Sequence, residues 1–180
     1  MAKKKTIFTV GHSNRNIEDF VELLTNNGIE LLVDVRTIPR SKHNPQFNTE
    51  SLSVTLKKHK IGYLHTKELG GLRHPKKDSV VNLGWHNDSF RGYADYMQSP
   101  EFSGALDNLI RLSKVKSTAV MCAEAVPWRC HRSLIADALT ARGFEVKDII
   151  SLTSSKEHKL NPMAVVEGAR VTYPAESPQP

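Results

Sequence analysis

Short apolar runs alternate with stretches of helical period along this chain. Thr6-Ile7-Phe8-Thr9-Val10 reads as a buried strand that stops at Gly11-His12-Ser13-Asn14. Asn14 or Asn16 then suits a helix cap, and Ile17, Phe20, Val21 and Leu24 follow at helical spacing until Gly28. Leu31 to Val35 is apolar on both faces, as a central parallel strand must be, and is interrupted only by Asp34. A turn-rich loop over 37–50 leads to a helix over Ser51–Lys60, with Leu52 and Leu56 facing inward. Ile61 to His65 predicts a third strand, and Glu68-Leu69-Gly70-Gly71 a tight turn.

Residues 72–91 are polar and lack a period, which predicts a long insertion over one face of the sheet. Tyr93, Tyr96 and Met97 start another helix. Pro100 breaks it, and Phe102, Leu106, Leu109 and Ile110 continue in a second. Ala119 to Cys122 is a buried strand, Pro127 marks a turn, and Leu134, Ile135, Ala138 and Leu139 share one helical face up to Gly143. Val146 to Leu152 is the last strand expected.

Such alternation predicts an α/β fold: a mostly parallel sheet flanked by helices, in a Rossmann-like three-layer arrangement. The pattern places one α/β domain over 1–161. A tail over 162–180, ending in Pro-Ala-Glu-Ser-Pro-Gln-Pro, is expected to be partly disordered. Parallel sheets bind ligands beyond the C-terminal ends of their strands. Four polar clusters fall there: Gly11 to Arg15, Asp34 to Lys42, His65 to Gly71, and Cys122 to Arg132. Their convergence predicts a site.

Charge sharpens this picture. The chain carries +6 overall, and Arg36 to Asp78 holds ten Lys/Arg against three Asp/Glu. That local +7 fits a phosphorylated ligand or a nucleic acid, although a solvated lysine-bearing loop has the same composition. No apolar run approaches the roughly 18 residues that a membrane span needs. The opening Met-Ala-Lys-Lys-Lys leads into an apolar stretch too short for a secretory signal. Two cysteines with no signal point to a reducing cytoplasm rather than to a structural disulfide.

The candidate chemistry lies on the loops. Cys130 precedes His131 and Arg132 at a helix start, where unpaired N–H groups and positive charge favour thiolate, so it is expected to react faster than Cys122. Cys122 ends an apolar strand, as a buried cysteine would. Phosphatase loops place five residues between Cys and Arg. Here six separate Cys122 from Arg129 and nine separate it from Arg132, so that pattern fails. The Cys-x7-Cys-His spacing also departs from structural zinc sites, and no metal is assigned. Asp34 and Arg36, two apart on a strand end, project to one side. Asp34 reads either as a general base or as half of a buried ion pair, and Glu124 faces the same choice.

The stretches GHSN at 11–14, VDVR at 33–36, PRSKHNPQFN at 39–48, ELGG at 68–71, FRGYADYM at 90–97, MCAE at 121–124 and CHRSLIAD at 130–137 together resemble the bacterial and archaeal domain of unknown function 488 family. The resemblance spans about residues 7–152. It implies a cytoplasmic α/β domain with its best-matched residues on loops, and it brings no reaction with it. Lys42 stands where such proteins often carry Arg, which removes a two-pronged phosphate contact.

The combined expectation is an anion-binding site for a nucleotide or nucleic acid, with residues placed to make it catalytic. Asp34, Glu124, Cys130 and His131 are the catalytic candidates, and His12, Ser13, Arg36, Arg40 and Arg132 are the ligand-binding ones. A non-catalytic nucleic-acid-binding module is the main alternative. A thiol-based redox or sulfur-transfer protein, resting on Cys122 and Cys130, is the third. No cofactor is assigned.

Overall fold

The computed structural model describes residues 5–177. The chain ahead of Lys5 and the last three residues of the expected tail lie outside that range. The strands are β1 (Thr6–Gly11), β2 (Leu31–Asp34), β3 (Gly62–His65), β4 (Thr118–Cys122), β5 (Glu145–Ser151) and β6 (Ser154–Glu157). The helices are α1 (Ile17–Asn26), α2 (Thr49–Lys58), α3 (Asp88–Tyr96), α4 (Pro100–Ser113) and α5 (Arg132–Ala141). The strands form one sheet in the order β3-β2-β4-β1-β5-β6. All neighbours pair in parallel except β6, which runs antiparallel to β5. This is the expected α/β, Rossmann-like three-layer fold.

The layers follow from alternation along each strand. In β2, Leu31 and Val33 pack into the core that holds α3, α4 and α5, while Leu32 packs into the opposite core with α1 and α2. In β4, Val120 and Cys122 face the first core, and Ala119 and Met121 the second. Every residue of β2 and β4 is buried, as the unbroken apolar runs required. The caps are local. The Asn16 side chain accepts from the N–H of Asp19 at the start of α1, and Ser99 accepts from Phe102 at the start of α4. Pro100 ends one helix and also opens the next, at a first-turn position where its missing N–H costs nothing.

Val165–Glu167 (β7) and Arg170–Thr172 (β8) form an antiparallel hairpin. Val171 and Tyr173 are buried in the α3–α4–α5 core. The Tyr173 hydroxyl donates to Asp137 on α5 at 2.6 Å, and His158 Nε2 lies 2.7 Å from the other oxygen of that carboxylate. Among the described residues no helix is long and apolar enough to cross a membrane.

Candidate functional site

Strands β1, β2 and β4 are adjacent, so their C-terminal ends open onto one cleft of about 880 Å³. Gly11 ends β1 against the loop that follows β4, and a Cβ there would overlap the Glu124 carbonyl oxygen. The parallel pairing continues past both strands, with the N–H groups of His12 and Ser13 donating to Cys122 and Ala123. The two loops are thereby held edge to edge.

Asp34 is fully buried at the end of β2. Its Oδ1 accepts from Arg36 Nε at 2.9 Å and from the Arg36 backbone N–H at 3.1 Å. Its Oδ2 accepts from Arg36 Nη2 and from the Tyr63 hydroxyl, at 2.7 and 2.6 Å. The pair is therefore a bidentate buried ion pair, the geometry that suits Arg best. Burial and the hydrogen bond to Asp34 push the Tyr63 hydroxyl up to about 12. Arg36 also donates to the Phe47 carbonyl and reaches His12 Nε2 with Nη1 at 3.3 Å. The His12 ring stacks on Phe47 with centroids 4.3 Å apart. Its Nδ1 lies 2.7 Å from the Ser13 carbonyl oxygen, which can only accept, so the proton sits on Nδ1. Burial, reinforced by the Arg36 charge, lowers the His12 pKa to about 4, so the ring is neutral.

The second half of the cleft comes from the loop between β4 and α5. His131 donates from Nε2 to the Val35 carbonyl at 3.0 Å, and its Nδ1 lies 3.4 Å from Cys130 Sγ. Burial and the neighbouring Arg132 charge bring the His131 pKa to about 4 as well. Gly71 backs this ring, since a Cβ there would stand 2.5 Å from Nδ1. The sulfurs of Cys130 and Cys122 are 2.8 Å apart. The S–H of Cys130 and the charge of Arg132 hold the Cys122 thiol below its ordinary range despite burial. Donating that bond, together with burial, pushes Cys130 up. The sequence position at a helix start favours Cys130 as the more acidic thiol, and the contact between the two sulfurs works in the other direction.

Arg132 is 1% exposed and, among the described residues, has no carboxylate partner. Its Nη2 reaches the Ala125 carbonyl at 3.4 Å, while Nε and Nη1 are buried without a partner. Arg40 is exposed at the rim and paired with Glu50 at 2.8 Å. His12, Ser13, Arg36, Arg40, Glu124, Cys130 and His131 thus line one cleft. Asp34 and Arg132 are buried residues outside that lining. Cys122, on which the thiol reading rests, also lines it, as does Arg129, which was not among the candidate site residues. Arg129 could have been picked out by its place beside Cys130 at the approach to α5. Tyr63 and Gly71 carry no such signal, because their roles depend on partners far away in sequence. Among the described residues, no three His, Cys, Asp or Glu side chains are grouped to hold a metal ion.

The arrangement offers cations at the mouth, a neutral histidine on each side, and a dithiol at the base. Comparison with curated proteins and with solved structures found no match. A family model described as a domain of unknown function, DUF488, matches residues 16–139. That stretch takes in α1 through nearly all of α5, with the ends of β2 and β4 inside it, and the chain therefore belongs to the DUF488 family.

Proposed function

We propose that the cleft binds a phosphorylated ligand, a nucleotide or a segment of nucleic acid, and that Cys130 and His131 give it the means to act on that ligand. The observation that carries this reading is a charge imbalance. Arg36, Arg40 and Arg129 line the cleft, and Glu124 is the one carboxylate in that lining. Arg132 lies outside the lining with two donors unpaired. Arg36 is held by Asp34 and Arg40 by Glu50, while Arg129 is exposed and has no ion pair among the described residues, so it is the guanidinium free to meet an anion. The lining also includes the apolar side chains of Ile38, Leu72, Phe90 and Val126, against which a planar base could stack. The volume suits a ligand of nucleotide size. The two free cysteines fit a reducing, cytoplasmic setting.

A second reading, a non-catalytic nucleic-acid-binding module, draws on the local +7 between Arg36 and Asp78. Calorimetric titration with inorganic phosphate, nucleoside phosphates and oligonucleotides at low salt tests both. Nucleoside phosphates should bind more tightly than phosphate alone. Arg129→Ala should weaken them about tenfold or more, since hydrogen bonds to charged groups contribute ~1.5–3 kcal/mol each. Affinity that grows with oligonucleotide length and falls steeply with salt favours the module. No binding of any of these at low salt, or full affinity in Arg129→Ala, overturns the site.

A further inference from the structure

We propose that Cys122 and Cys130 form a dithiol redox centre, which reduces a small hydroperoxide and closes into an intramolecular disulfide at the base of the cleft. The two sulfurs approach to 2.8 Å, already nearer than unbonded sulfurs ordinarily rest. A disulfide bond is about 2.05 Å long, so closure needs a shift of under roughly 1 Å. Both cysteines line the cleft, yet Cys122 is 2% and Cys130 6% exposed. An oxidant must therefore be small enough to enter the cleft.

Arg132 supplies the independent observation. A buried guanidinium with Nε and Nη1 unpartnered and no carboxylate beside it requires an anion. The Arg132 charge acts on both thiols at the base of the cleft. The hydrogen bond from Cys130 and that charge both lower the Cys122 thiol against the cost of burial. On the other side, Nδ1 of His131 stands 3.4 Å from Cys130 Sγ.

The chemistry balances with a hydroperoxide as oxidant. The Cys122 thiolate attacks the terminal oxygen of ROOH, the O–O bond breaks, and the alkoxide leaves as ROH with the proton that Cys122 had released. Two electrons pass from sulfur to the peroxide, and Cys122 becomes a sulfenic acid. Cys130, whose S–H already points at Cys122, gives its proton to the sulfenic hydroxyl and attacks the Cys122 sulfur. Water leaves and the disulfide forms. An external dithiol then restores the pair by exchange.

The test titrates the reduced full chain with hydrogen peroxide and follows intact mass and free thiols. Expected is the loss of two hydrogens and both thiols per chain, without dimerisation, reversed by dithiothreitol. Cys130→Ser should stop at a sulfenic acid on Cys122 that dimedone traps. Arg132→Gln should slow the first step by about tenfold, the effect of raising the thiol pKa by about one unit. Three results would overturn the proposal: irreversible sulfinic acid as the first wild-type product, disulfides only between chains, or a Cys122→Ser variant oxidised as fast as wild type. The wild-type mass change alone decides the matter if a variant fails to fold. Anion binding is not part of the readout, so this proposal and the phosphorylated-ligand reading fail separately.

Discussion

Asp34 accepts four hydrogen bonds inside the domain, three from Arg36 and one from Tyr63. A carboxylate so occupied positions its partner. It orients Arg36, which in turn reaches His12 and the cleft. Asp34→Asn is therefore expected to destabilise the fold by ~3–5 kcal/mol, because it leaves the Arg36 charge buried and uncompensated. Denaturant unfolding measures this directly. Tyr63→Phe removes one neutral donor, keeps the ion pair, and should cost ~1 kcal/mol. An Asp34→Asn protein that unfolds within ~1 kcal/mol of wild type, yet loses all activity once a reaction is known, would make Asp34 a catalytic group instead.

At the scale of elements, the main strands and helices were legible because each carries an apolar period long enough to read. The four polar clusters were legible for the same reason, each following an apolar run at a strand end. Contacts between distant side chains were not legible. Nothing in the sequence joins Tyr63 to Asp34, 29 residues apart, or sets the sulfur of Cys130 against that of Cys122. The insertion over 72–91 hid a second case. Asp95 on α3 ties it down by accepting from the Lys76 N–H, the Ser79 hydroxyl and the Asn82 side chain. The β7–β8 hairpin was missed because three-residue strands are too short to show alternation. Gln98 and the buried Val171 hold the hairpin itself, and Asp137 holds the chain on either side of it, accepting from Tyr173 and from the Asn161 N–H and pairing with His158. Tyr173→Phe should cost ~1–3 kcal/mol by leaving part of that carboxylate unpaired. The melting temperature should fall by roughly 2–4 °C for each kcal/mol in a chain of this size. Val166→Ser on the exposed side of the hairpin should shift it little. Equal effects from the two substitutions would show that the Asp137 contact does not anchor the hairpin.

In the whole molecule, burial acts on three histidines with opposite outcomes, and the pH dependence of stability follows. His12 and His131 have no carboxylate partner, and burial lowers both from 6.5 to about 4. Each is neutral in the fold and takes a proton more easily when unfolded. Their contribution is complete above about pH 6.5 and is lost as pH falls toward 4. His158 is the reverse case. Burial opposes its charge, but hydrogen bonds to Asp137 and Asp148 outweigh that and raise it to about 9. Its contribution is complete below about pH 6.5 and is lost as pH rises through 9. Stability should therefore peak near pH 6.5. The acid limb should fall by up to roughly 1.4 kcal/mol per pH unit for each of the two histidines, and the alkaline limb by up to roughly that amount for His158 alone. Urea unfolding at intervals from about pH 5 to about pH 9 measures both slopes. His158→Gln should flatten the alkaline limb, whatever it does to stability overall, and His12→Gln should roughly halve the acid slope while leaving the alkaline one unchanged. Stability that keeps rising to pH 9 in wild type, or an alkaline limb that survives in His158→Gln, would mean that the Asp137–His158–Asp148 cluster does not hold a charged imidazole between its carboxylates.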